Sequence, residues 1–260
     1  MKQGTEEQVR EHVRKTYAQV AQEGTGCGCG CGTAEETSLG LGYNKEDLSA
    51  IPAGANMGLG CGNPGAIADL KEGEFVLDLG SGGGFDCFLA GEKVGPQGLV
   101  IGVDMTPEMI QKARTNQAKS PLENVEFRLG EIENLPVADN SMDVILSNCV
   151  INLALDKKQV YGEAFRVLKP GGRLAISDIV TRAELPREIQ QDLALHSGCM
   201  AGAMFIEDLR KTLEEIGFQE IRITQGKNSD LILEQWSPAR RLEEYLVSAE
   251  IQAIRPIFRQ

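Results

Sequence analysis

The chain has 260 residues, 42% of them hydrophobic and 25% charged, which suits one large α/β domain with appendages and excludes global disorder. Its 38 acidic and 26 basic residues give a formal net charge of −12. Without a Lys/Arg stripe to override it, that charge repels phosphate backbones, so the expected substrate is a small molecule rather than nucleic acid.

The first seven residues lack the basic-then-apolar order of an export signal. The most apolar run, 144–155, is interrupted by Ser147, Asn148 and Asn152 and is too short and polar to span a bilayer. A cytoplasmic location is therefore expected, and the chain is taken as a monomer. The seven cysteines then read as ligands, catalysts or core residues rather than disulfides.

In chain order, Val9, Val13, Tyr17 and Val20 make a helical stripe over residues 6–22. A Gly/Cys-rich segment, 24–32, follows that no regular element tolerates. Residues 37–50 hold a short helix, and 51–62 a second glycine-rich loop. Asn63-Pro64 reads as an N-cap with proline at the first helical position, opening a helix over 65–70. Strands are then predicted at Phe75–Leu79, 99–103, Val125–Leu129, 144–147 and 173–177. Helices over 86–94, 107–119 and 157–168 separate them, an alternation that argues for a doubly wound, mostly parallel sheet. The tail adds helices near 185–196 and at Ile206–Ile216, strands at 218–223 and 231–234, and a last helical stretch opened by Pro238. The organisation expected is an N-terminal helical and Gly/Cys-rich segment (1–64), a nucleotide-binding core (65–180) and a C-terminal substrate-binding, sheet-completing region (181–260).

The first strand runs into Asp78-Leu79-Gly80-Ser81-Gly82-Gly83-Gly84-Phe85. Alternating glycines let the backbone turn tightly and a ligand lie close to it at a helix N-terminus. The dinucleotide fingerprint would place glycine or alanine where Phe85 stands. Asp78 precedes the loop, where a carboxylate suits a cationic amino-acid ligand, and Asp104 ends the second strand, where an acidic residue accepts ribose hydroxyls.

This arrangement resembles the class I S-adenosylmethionine methyltransferases, with their Rossmann-like seven-stranded sheet. Residues 76–84 match their first motif and Gly102-Val103-Asp104-Met105 their second. Gly130-Glu131-Ile132-Glu133 matches their adenine-contacting segment, and Lys169-Pro170-Gly171-Gly172 their lead into the fifth strand. The resemblance implies S-adenosylmethionine as methyl donor. The residues it assigns to the donor are Asp78, Gly80, Ser81, Gly82, Gly84, Asp104, Met105, Glu131, Ile132 and Asn148.

Three cysteines sit beside glycines or strand ends rather than on apolar faces. Cys149 follows the fourth strand at the carboxyl edge of the sheet. Cys61 precedes the Asn63-Pro64 helix start, where a helix dipole would lower a thiol pKa. Cys199 lies in a break between two predicted helices. On spacing alone each fits a small buried hydrophobe as well as a ligand. Cys87, on the helix after the glycine loop, reads as core. His196 reads as a solvated helix-end residue.

The segments 56–64, 147–153 and 196–203, one around each of these three cysteines, resemble the cysteine motifs of arsenite methyltransferases. That resemblance implies that Cys61, Cys149 and Cys199 bind trivalent arsenic. It also implies that a more N-terminal cysteine takes part in redox recycling with thioredoxin or glutathione as reductant. Of Cys27, Cys29 and Cys31, distance to Cys61 favours Cys31. The competing expectations are a carbon methyltransferase of quinone or sterol type and a non-enzymatic thiol metal-binding protein. The alternate spacing of the cluster, with no histidine pair, is poorly suited to zinc.

Overall fold

The computed structural model describes residues 3–23, 33–190, 192–236 and 242–257. The N-terminal stripe forms helix α1 (Gln3–Glu23). Where one short helix is expected there are two, α2 (Ala34–Gly40) and α3 (Lys45–Ala50). Each starts at its own capping box, Thr33 with Glu36 and Asn44 with Asp47, and Gly42 at φ +99° turns the chain between them. Helix α4 (Pro64–Ala68) is capped as expected, the Asn63 side chain accepting from the Ala66 N–H at 3.0 Å.

The alternating core follows: β1 (Phe75–Leu79), α5 (Phe85–Val94), β2 (Leu99–Asp104), α6 (Pro107–Gln117), β3 (Val125–Leu129), β4 (Met142–Asn148), α7 (Lys157–Val167) and β5 (Leu168–Thr181). These five strands are parallel in the order β3-β2-β1-β4-β5. Covered on both faces, they read as continuous apolar runs. Leu77, Leu79, Ile145 and Ile176 are wholly buried, each contributing about 1.5–3 kcal/mol by leaving water. Strand order reverses between β1 and β4, which opens a crevice beyond their carboxyl ends.

The C-terminal region holds α8 (Arg187–Gln190), α9 (Leu193–Ser197), the two-residue β6 (Met204–Phe205), α10 (Ile206–Ile216), β7 (Gln219–Gln225), α11 (Ser229–Trp236) and β8 (Leu246–Ile254). Two expectations fail here. Residues 231–234 belong to helix α11, because a four-residue apolar run carries no period that separates strand from helix. The last stretch is not helical among the described residues beyond a 3-10 turn at Leu242–Glu244; it is strand β8. β8 lies antiparallel between β5 and β7, pairing Arg173 with Ile254 through to Thr181 with Leu246. With β6 pairing beside β5, the sheet has eight strands, seven of them in the main order. No described helix is long and apolar enough to cross a membrane.

Candidate active site: a thiol cluster beside a glycine-lined cleft

The crevice at the strand-order reversal is a cleft lined on one side by Gly80, Gly82, Asp104, Met105 and Ile132, and on the other by Asn148, Cys149 and Cys199. Gly80 has φ +70°, and a Cβ there would stand 2.4 Å from Val150, so any side chain at this turn would be strained and would displace Val150. The Asp104 carboxylate accepts from the Gly82 N–H at 3.0 Å and the Thr106 N–H at 2.8 Å. It thereby ties the glycine loop to the start of α6. Burial raises its pKa, and those two N–H donors oppose the shift.

Other expected cofactor residues lie behind the cleft rather than on it. Asp78 and Ser81 are buried, at 3% and 6% exposure. The Cys87 thiol donates to Asp78 at 3.2 Å, so this core cysteine is also a partner of the motif's carboxyl group. Burial first, and then the neighbouring Asp86 and Asp104 carboxylates, push Asp78 well above its usual range. Gly84 caps α5 at φ +92°. Glu131 turns toward Arg14 at 3.5 Å, while Glu133 lines the cleft.

Sequence reasoning missed helix α1 as part of the site. Arg10 and Tyr17 line the cleft, Arg10 3.5 Å from Glu133 and the Tyr17 hydroxyl donating to the Ser197 carbonyl at 3.1 Å. Tyr17 lies on the apolar stripe of α1, and its hydroxyl is the signal that sets it apart from the valines.

The three candidate cysteines converge. Cys61, Cys149 and Cys199 belong to one buried cluster with Ile179, Leu195 and Met200. Asn148 organises it: its carbonyl oxygen accepts from the Cys61 N–H at 2.9 Å and its amide donates to the Gly62 carbonyl at 2.9 Å. A Cβ on Gly60 would meet that amide at 2.7 Å, which explains glycine before the cysteine. The Ser248 hydroxyl on β8 donates to the Cys61 carbonyl at 2.7 Å. Cys149 and Cys199 both have left-handed backbones, at φ 60° and 63°, a conformation that costs a non-glycine residue about 1–2 kcal/mol. The Cys149 N–H donates to the Ser177 carbonyl at 2.8 Å, and the Cys199 thiol donates to the Cys149 carbonyl. Asn152, itself buried, donates to the Cys199 carbonyl at 3.1 Å and to Asp178 at 2.8 Å.

The electrostatics reverse one expectation. Burial pushes the Cys61 thiol up to about 11, and α4, five residues long, does not offset it. Burial and hydrogen bonding to its neighbour thiols raise Cys149 as well. Cys61 and Cys149 are therefore neutral thiols at neutral pH. His196 is not solvated: it is half-buried, its Nε2 has no partner among the described residues, and burial lowers its pKa. Asp178, which sequence reading also missed, stands among the thiols; burial raises it to about 7, opposed by the Ile179 N–H. An acidic residue inside the apolar run of β5 was the signal. Cys27, Cys29 and Cys31 lie outside the described residues.

Comparison with known proteins places the chain in a family. Residues 70–234 match the family model for a methyltransferase domain. The chain is 51% identical, over 96% of its length and 67% of the relative's, to an arsenite methyltransferase of Halobacterium salinarum. The chain belongs to the arsenite methyltransferase family. A second arsenite methyltransferase, from Aquipseudomonas alcaligenes, is 42% identical over 61% of this chain; the match spans 48% of that protein's length. Among solved structures, an arsenic(III) S-adenosylmethionine methyltransferase from Chlamydomonas reinhardtii superposes with a TM-score of 0.62 at 32% identity. That likeness covers 85% of this chain and 73% of that one. The fold is thus the class I methyltransferase fold, and in this arsenite methyltransferase family member the cleft and the thiols share one edge of the sheet.

Proposed function

We propose that the protein transfers a methyl group from S-adenosylmethionine to trivalent arsenic held by Cys61, Cys149 and Cys199. The observation that carries this reading is the convergence of three thiols from three separate loops, two of which line the cleft. The cleft suits the methyl donor. Gly80 leaves the backbone bare, Asp104 offers a charged acceptor for ribose hydroxyls, and Met105 and Ile132 provide apolar surface for a base. S-adenosylmethionine supplies an electrophilic methyl group when bound there.

Trivalent arsenic is thiophilic, and soft sulfur ligands select soft ions. Each neutral thiol that replaces a hydroxyl of arsenous acid releases water, so the loaded centre stays uncharged and costs little to bury. Its lone pair carries no proton, and no general base is needed for the transfer itself. The protein's contribution is position: Asn148 holds the Cys61 loop on the cleft, and Asn152 holds the Cys199 turn against β5.

Methyl transfer formally oxidises arsenic, so electrons must return. We assign that role to cysteine thiols closing a disulfide, Cys31 among them, with thioredoxin or glutathione as reductant in the cytoplasm. The free thiols at Cys61, Cys87, Cys149 and Cys199 suit a reducing compartment. The test is to incubate protein with arsenite, S-adenosylmethionine and thiol and to separate arsenicals by chromatography with element detection. Methylated arsenic is expected; its absence, with donor binding intact, would refute the assignment.

A further inference from the structure

β5 carries one carboxyl group into the thiol cluster. Asp178, near the end of that strand, is 2% exposed. Its Oδ1 accepts from the Asn152 side-chain amide and from the Ile179 N–H, both at 2.8 Å. Its Oδ2 is buried and has no hydrogen-bond partner among the described residues. A carboxylate oxygen of Asp178 and the sulfurs of Cys61 and Cys149 all lie within 4.8 Å of one another. An orphaned buried acceptor is costly to a fold, so one kept beside two thiols marks a place for a donor that arrives from outside.

We propose that Asp178 contacts the substrate, receiving a hydroxyl of trivalent arsenic on Oδ2 and relaying the thiol proton to that hydroxyl as Cys61 and Cys149 are loaded. The inference rests on arsenic being the substrate. In each exchange one As–S bond forms and one As–O bond breaks. The thiol gives its proton to Oδ2, and Oδ2 gives one to the departing hydroxide, which leaves as water. Arsenic stays trivalent, Asp178 ends as it began, and no electrons move. A relay is useful because these thiols are buried and neutral, and hydroxide is a poor leaving group without a proton. The neighbouring buried carboxyls are already engaged: Asp78 by the Cys87 thiol, and Asp86 by the Tyr43 hydroxyl and the Asn148 amide. Of the three, only Asp178 has a fully buried carboxylate oxygen without a hydrogen-bond partner among the described residues.

The test compares two sources of arsenic. Asp178→Asn keeps the size of the side chain and an acceptor for the Ile179 N–H, and calorimetric binding of S-adenosylmethionine checks its fold. Rapid mixing with arsenite follows the near-ultraviolet sulfur-to-arsenic absorption. The parallel experiment uses arsenic(III) already complexed by 2-mercaptoethanol, whose leaving groups are thiols instead of hydroxide. The variant should load from arsenite about 100-fold more slowly than the wild type, yet at a rate close to wild type from the thiol complex, where the thiolate departs without prior protonation and itself takes up the cysteine's proton. Asp178→Ser, read in the same way, takes its place should the amide variant fail to bind the methyl donor. Equal slowing from both sources would show a merely structural side chain and overturn the proposal, as would unchanged loading from arsenite. Failure of the wild type itself to take arsenic from either source would instead remove the arsenic reading, and this inference with it.

Discussion

At the scale of single residues, the four described cysteines separate into two kinds. Cys149 and Cys199 line the cleft, Cys61 stands behind them, and Cys87 packs under the glycine loop against Asp78. A monomethylated arsenic has only two positions left for sulfur. Cys149→Ser and Cys199→Ser should therefore abolish methylation of both arsenite and methylarsenite. Cys61→Ser should lose arsenite methylation and keep methylarsenite activity, and Cys87→Ser should keep both with some loss of stability. Product formation by each purified, folded variant decides it, and arsenite methylation by either cleft variant would sink the site as drawn. Asp104→Ala should weaken S-adenosylmethionine binding by about 1–3 kcal/mol in calorimetry. The loss has two sources, the missing ribose acceptor and a glycine loop no longer tied down through the Gly82 N–H. The grouping of Cys61, Cys149 and Cys199 was legible through the resemblance of the segments around them to the arsenite methyltransferase motifs, since on spacing alone each fits a buried hydrophobe as well as a ligand. Asp178, Arg10 and Tyr17 were not, since a lone acid in a strand and a tyrosine on an apolar stripe acquire their meaning only from what the fold sets beside them.

At the scale of elements, α1 is a cover over the cleft as well as a packed helix, resting against α6 and α9. Its bond from Tyr17 to the Ser197 carbonyl joins it to the turn that carries Cys199. Tyr17→Phe should weaken this docking by about 0.5–1.5 kcal/mol, read as faster amide hydrogen exchange in both α1 and that turn. Exchange unchanged in the turn would show that the two move independently. The βα alternation from β1 to β5 was readable because each strand is a compact apolar run closed by a turn signal. The last strand was readable too and was misjudged. Val247, Ala249, Ile251 and Ala253 alternate with Ser248, Glu250 and Gln252, a period of two that places the first set in the core. Pro238, a residue that favours helix starts, stands just ahead of that pattern. The error at 231–234 is of another kind, because Ile232 and Leu233 are buried in a helix as they would be in a strand.

At the scale of the whole molecule, the C-terminal strand binds core and appendage into one sheet. β8 pairs with β5 along nine positions, Arg173 to Thr181, and bridges it to β7, while Ser248 on the same strand holds the Cys61 carbonyl. A chain ended at residue 241 should therefore lose its cooperative fold rather than merely its substrate loops. Circular dichroism and solubility check this, and a soluble truncated chain that still melts cooperatively would contradict it. For the N-terminal cluster, exchange of Cys27, Cys29 and Cys31 for serine together should leave arsenite affinity intact and slow multiple turnover. Full steady-state activity would show the cluster to be dispensable. The left-handed backbones at Cys149 and Cys199 reach further. Glycine there would relieve about 1–2 kcal/mol of strain and lose a comparable amount in thiol burial and chain entropy, offsetting to within about 1 kcal/mol. Folding is thus nearly indifferent to these two side chains. In a lineage that no longer meets arsenic, they should be among the first residues to drift, toward glycine, while the sheet beneath them stays under constraint.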